Sequence, residues 1–174
     1  MSHRVRFDEI PPQGLRLELA FGDQHLGLEQ RQLAPLTAQL VLSRQAGGRV
    51  LLQGHMSLTV ELICDRCLAT YAQPVDEDLV LLLELRTQVF AADETWEHAT
   101  AETPETMLLE APVVDIDDIL RQQVCLSLPF KHLCREDCPG LCPGCGALRG
   151  SSECRCGAPG PESPFARLRG MKRE

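Results

Sequence analysis

The feature that most constrains this chain is its cysteine content. It has nine cysteines in 174 residues, and five of them crowd into residues 138–156, CPGLCPGCGALRGSSECRC. A stretch so rich in Cys, Gly and Pro, and so poor in large apolar side chains, cannot bury enough surface to fold unaided and needs a cross-link. In a secreted mini-domain that cross-link is a disulfide framework, whereas in a reducing compartment clustered C-x-x-C pairs read as metal ligands. The opening residues MSHRVRFDEIPPQG lack the apolar stretch of a signal peptide. No apolar run approaches the roughly 18 residues of a membrane span. The expectation is a soluble, cytoplasmic protein whose thiolates bind metal.

Beyond Pro129 the spacing is Cys134-x3-Cys138-x3-Cys142-x2-Cys145-x8-Cys154-x-Cys156, and a further pair, CDRC, stands far upstream at Cys64 and Cys67. CPGCG has the form of a zinc knuckle, in which two sulfurs grip one ion and backbone amides point at them. Gly146 supplies the positive φ that such a turn requires. CDRCL offers the same pair of sulfurs without the glycine. Four thiolates in a tetrahedron satisfy a structural Zn(II) at about 2.3 Å.

Eight cysteines make two such sets. One pairing joins Cys142, Cys145, Cys154 and Cys156 locally and sets Cys64 and Cys67 with Cys134 and Cys138, clipping the sheet to the C-terminal module. A second joins Cys64, Cys67, Cys142 and Cys145, leaving Cys134, Cys138, Cys154 and Cys156. A single zinc with spare thiols is a third arrangement, so the expectation is one or two structural ions. His132, two residues before Cys134, is a nitrogen donor by position but reads as a surface histidine, and Cys125 reads as a small buried apolar residue within a helix. A structural zinc site contributes about 10–16 kcal/mol of apparent binding, released as folding free energy.

Charge is unevenly spread. Residues 76–118 hold thirteen acids against one base, Arg86, while residues 1–75 hold seven of each and residues 119–174 hold nine bases and five acids. An acidic background field opposes phosphate binding, so any nucleic-acid contact falls to the C-terminal third.

LRLELAF (Leu15 to Phe21) alternates with the period of a half-buried strand. LTAQLVLSR and RVLLQGHMSLTVEL are β-prone and flank QAGG, a hairpin turn. A strand pair follows in ATYAQPVDEDLVLLLELR, with Pro74 marking an edge or a bulge. Residues 87–112 read as an acidic, partly disordered loop in which Trp96 is a local anchor. Ile116, Ile119, Leu120 and Val124 share one face of a helix over 115–126, capped by Asp115 and stopped by Pro129. The expected fold is α+β, with an antiparallel, sandwich-like sheet, one main helix and a C-terminal four-cysteine zinc module. The expected organisation is a mainly β core over 1–128, a cysteine-rich module over 129–157, and a linker with a short basic tail over 158–174.

The chain carries few signs of catalysis. A thioredoxin-like C-x-x-C opens a helix after a strand, but Cys64 and Cys67 are flanked by strand-like VELI and LATYAQPV. A catalytic zinc keeps an open fourth position beside a general base, which all-sulfur sets lack. The expectation is a protein that is not an enzyme.

Four elements in order, CDRCL, the helix end LSLPF, CREDCPGLCPGCGAL and SPFARLRGMKR, resemble the YceD-like family, described as large ribosomal RNA subunit accumulation proteins. The resemblance runs from about Leu36 onward. It implies a cytosolic factor in ribosome biogenesis, needed for normal amounts of 23S ribosomal RNA, with no catalytic activity. The expected partner is a ribosomal RNA precursor or a large-subunit assembly or ribosomal protein. Candidate phosphate contacts are Arg149, Arg155, Arg167, Arg169, Lys172 and Arg173, each of which also reads as a solvated surface charge. The other reading is an adaptor whose acidic 76–118 segment meets a basic ribosomal protein or a nuclease.

Overall fold

A computed structural model describes residues 3–22, 26–86, 105–154 and 156. Two compact units divide the chain: the first takes Met1–Leu62 and Ala72–Phe130, the second Ile63–Tyr71 and Lys131–Glu174. The second unit thus includes the loop carrying CDRC, a stretch that the sequence reading assigned to the β core. Instead of clipping a sheet to a module, Cys64 and Cys67 belong to the cysteine-rich unit itself.

The first unit is built on β1 (Arg4–Arg6), β2 (Leu15–Phe21), β3 (Gln32–Gln45), β4 (Arg49–Ile63), β5 (Thr70–Leu85), β6 (Glu105–Leu109), β7 (Val113–Asp115) and helix α1 (Ile116–Ser127). Strands β2 to β6 form one five-stranded sheet in that order, and β1 pairs with β7 in a two-stranded ribbon. The hairpin turn falls at Ala46–Gly48, as QAGG implies, with Gly47 and Gly48 at positive φ.

Period-2 patterning positions the core. Register sets Leu42 opposite Leu52 and Ala38 opposite Met56, and all four are buried. Gly54 faces Leu40 in the same ladder, where a Cβ would lie 2.1 Å from the Gln39 carbonyl oxygen, so only glycine lets the strands approach. The register shifts twice between Gln32 and Thr37, and Pro35 lies in that irregular stretch, where a missing amide is tolerated.

Three expectations about the sheet change. The span from Thr70 to Leu85 is one sixteen-residue strand rather than a pair. Residues 105–109 of the expected acidic loop form β6, whose Leu109 lies opposite Leu85; residues 87–104, with Trp96, lie outside the described residues. The β5–β6 pair is parallel, so the sheet is mixed, and the described strands make one sheet and a ribbon rather than a sandwich. The near-continuous apolar run LVLLLEL in β5 fits a strand paired on both sides better than strict alternation does.

Helix α1 agrees with its sequence signals. The Asp115 side chain accepts from the Asp118 amide at 3.2 Å, and Ile116, Ile119, Leu120 and Val124 are buried. Leu128 is extended before Pro129, which disfavours helical geometry in its predecessor. Cys125 is exposed rather than buried, because one residue past Val124 the helix turns about 100°, onto the face of Arg121 and Gln122. The β1–β7 ribbon holds the N-terminal segment to this helix: Ile116 donates to the His3 carbonyl at 3.0 Å, and His3 Nδ1 lies 2.8 Å from Asp117 Oδ1.

Candidate metal centres

In the second unit both C-x-x-C segments make the same turn. The Leu68 amide donates to the Cys64 carbonyl at 2.9 Å, and the Cys64 amide to Ala69 at 2.9 Å. Ten turns of sequence later, the Gly146 amide donates to Cys142 at 2.8 Å, and the Cys142 amide to Ala147 at 2.7 Å. Gly146 has φ 73° and Leu68 has φ 59°, so the leucine takes the left-handed conformation that glycine takes in the other turn.

Cys64, Cys67, Cys134 and Cys138 have sulfurs all within 4.8 Å of one another, with Cys64–Cys138 at 3.8 Å and Cys67–Cys134 at 3.7 Å. Cys64 and Cys138 are buried, with 0% and 2% of their surface exposed. Sulfurs of Cys142, Cys145 and Cys156 form a second group within the same limit, and Cys154 lies 3.8 Å from Cys145 but outside the mutual set. All nine cysteines are free thiols. Both groups are therefore close enough to hold a metal ion. Of the pairings open in the sequence, the structure brings together Cys64, Cys67, Cys134 and Cys138; it does not bring Cys64 and Cys67 to Cys142 and Cys145.

Backbone hydrogen bonds span the first group. The Asp65 amide donates to the His132 carbonyl at 2.8 Å, and the His132 amide to Asp65 Oδ2 at 2.8 Å. Arg66 Nη1 donates to the Cys138 carbonyl at 2.9 Å, and the Leu141 amide to the Arg66 carbonyl at 3.0 Å. A Cβ on Gly140, at φ 72°, would come within 3.1 Å of that same Arg66 oxygen. Asp65, Arg66, His132 and Gly140 escaped the sequence reading. The only local signal was the pair Asp-Arg between two cysteines, since their partners lie some seventy positions on.

The thiols resist shared ionisation. The Cys134 amide, with those of Cys67 and Arg66, pulls the Cys64 thiol down to about 6. Amides of Gly144 and Cys145 do the same for Cys142, to about 6. Cys134 is exposed as a residue, yet desolvation of its sulfur and hydrogen bonds with Cys138, Cys67 and Cys64 push it up to about 12. One thiolate forms readily in such a cluster and the rest await a cation, which is how a metal-binding donor set behaves.

Of the candidate phosphate contacts, Arg149 is exposed, its amide bonded to the Gly140 carbonyl at 2.9 Å. Arg155, Arg167, Arg169, Lys172 and Arg173 lie outside the described residues. No helix of the described residues is long and apolar enough to cross a membrane.

A sheet-rich α+β unit followed by a unit organised around clustered thiols defines the class of protein. The family profile described as large ribosomal RNA subunit accumulation protein YceD matches residues 52–172, and the chain belongs to that family. It is also similar to uncharacterised proteins of Mycobacterium bovis and Mycobacterium tuberculosis, 34% identical over 97 residues, covering 56% of this chain and 44% of theirs. A protein of Mycobacterium leprae is 30% identical over 97 residues, covering 56% of this chain and 42% of its own. The chain therefore matches less than half the length of these relatives. No solved structure matches it.

Proposed function

We propose that this chain is a non-enzymatic ribosome biogenesis factor that supports the synthesis, processing or accumulation of 23S ribosomal RNA in the cytoplasm, with structural zinc shaping its second unit. The family match carries the ribosomal part of the reading. Sulfur spacing supports the zinc part: in a tetrahedron with Zn–S bonds of about 2.3 Å, neighbouring sulfurs stand about 3.8 Å apart. The distances of 3.8 Å for Cys64–Cys138 and 3.7 Å for Cys67–Cys134 fit that edge. Cys142, Cys145, Cys154 and Cys156 are the ligands of a second ion in this reading. Zinc here orders residues without taking part in a reaction, since sulfur-only sets leave no protein-derived base at the ion.

In the first reading the protein touches pre-ribosomal RNA through Arg149 and the basic residues Arg155, Arg167, Arg169, Lys172 and Arg173. The alternative is a zinc-stabilised adaptor for a ribosomal protein or a nuclease, favoured by the exposed Asp76, Glu77, Asp78, Glu105 and Glu110. Depletion should lower 23S relative to 16S ribosomal RNA, and wild-type chain should restore it; an unchanged ratio rules the ribosomal reading out. In-cell ultraviolet cross-linking then separates the two modes. RNA capture that is lost on neutralising the basic residues supports direct contact, and capture of a basic protein without RNA supports the adaptor. Metal analysis tests the ion, since four thiolates hold iron as a red centre and zinc as a colourless one.

A further inference from the structure

We infer that the two thiol clusters are unequal: the first is a closed centre, and the second is an exchangeable cation site with three committed sulfurs. The inference rests on the metal-binding reading above and deepens it. In the first cluster all four sulfurs share one 4.8 Å neighbourhood, and Cys64 and Cys138 are fully buried. Its sequence-distant halves are tied by the reciprocal Asp65–His132 bonds and by Arg66 to the Cys138 carbonyl. Hydrogen bonds that orient ligands in this way strengthen a site and slow its opening.

The second cluster lacks these features. Only Cys142, Cys145 and Cys156 share a neighbourhood. Cys154 reaches Cys145 at 3.8 Å without joining the other two. Cys145 and Cys156 are exposed and Cys154 is half-buried. Three thiolates leave one coordination position, to be filled by water, by a small external donor, or by Cys154 after a local shift. An incoming chelator can enter through that position before any sulfur departs. Sulfur-only donors select soft or borderline cations such as zinc over magnesium or calcium. Occupancy of the second site therefore follows free zinc while the first site stays loaded.

The test is native mass spectrometry of the zinc-loaded full chain against a graded series of EDTA concentrations. One ion should leave at a chelator concentration about 10–100-fold lower than the other, the range expected when supporting hydrogen bonds are absent. Cys145→Ser should remove the readily lost ion and Cys67→Ser the resistant one. Cadmium-113 NMR of the unaltered chain covers the case in which Cys67→Ser does not fold. It should give one four-sulfur signal and one shifted toward three-sulfur coordination. Simultaneous loss of two ions with two four-sulfur signals overturns the inequality and leaves metal binding standing. Retention of a single ion under all loading conditions also overturns it. A chain that takes up no ion overturns the metal-binding reading together with this one.

Discussion

Leu68 and Gly146 occupy the same place in two copies of one turn: each amide donates to the carbonyl of the cysteine four residues earlier, at 2.9 Å and 2.8 Å, and each backbone is left-handed. Glycine adopts that conformation freely, whereas a leucine pays about 1–2 kcal/mol in clashes between Cβ and carbonyl. Leu68 is 64% exposed, so its side chain contributes little packing in return. Leu68→Gly should therefore stabilise the metal-loaded second unit by about 1 kcal/mol, and Gly146→Leu should destabilise it by about 1–2 kcal/mol. Urea unfolding followed by release of metal to a chromogenic chelator measures both. A destabilising Leu68→Gly would show that the turn is not strained.

Arg66 ties the first cluster across a long stretch of sequence through its bond to the Cys138 carbonyl at 2.9 Å. Arg66→Ala should lower metal affinity at this cluster about 10–100-fold, as loss of a ligand-orienting partner does. Arg66→Lys should restore part of it, because an ammonium donates to one carbonyl but lacks the planar fork. Competition with a chelator of known affinity reads the effect, and unchanged affinity in Arg66→Ala would remove Arg66 from the centre.

Metal removal should act unevenly. The five-stranded sheet and α1 have an apolar core of their own, including Leu40, Leu52, Leu83 and Leu120, whereas the buried residues described between Lys131 and Cys156 are Cys138, Gly140 and Cys142. Hydrogen exchange with excess chelator should show protection lost in residues 63–71 and 131–156 and kept in β3, β4 and α1. Equal loss in both units would mean that the sheet also depends on the ion.

His55 on β4 provides a pH prediction independent of any metal. Its Nδ1 lies 3.0 Å from Asp78 Oδ1 and its Nε2 3.5 Å from Asp76 Oδ1. The hydrogen bond to Asp78, with the charge of Asp76, raises its pKa above the usual 6.5. A raised folded-state pKa means stabilisation fully present below 6.5 and lost as pH rises through the higher value. The side chain is 45% exposed, so solvent screening keeps the effect small. An NMR titration of the His55 ring should give a midpoint above 6.5, and Asp78→Asn should lower it. A midpoint unmoved by Asp78→Asn would contradict the pairing.

Asp115 caps α1 through the Asp118 amide. Asp115→Ala should cost about 1 kcal/mol of first-unit stability, and Asp115→Ser should recover most of it. Thermal unfolding of the metal-loaded chain monitored at the sheet and helix signals measures the difference.

Local chemistry alone made several elements legible. Apolar residues spaced at 3.6 with an aspartate in front produce α1 in almost any context, and the glycine pair after LTAQLVLSR turns β3 back onto β4. The C-x-x-C spacing likewise brings two sulfurs to one turn wherever it occurs, so the thiol clusters could be read before any fold was known. Tertiary structure decided what depends on distant partners. The strand Glu105–Leu109 exists because β5 offers it a parallel ladder, and nothing in ETMLL announces that. The choice among cysteine pairings was open for the same reason. Spacing fixes which sulfurs share a turn, but the bonds from Asp65 to His132 and from Arg66 to Cys138 select which two turns meet. Hydrogen bonds across some seventy residues leave no periodic trace in the sequence, because each donor and acceptor is a backbone group that every residue carries.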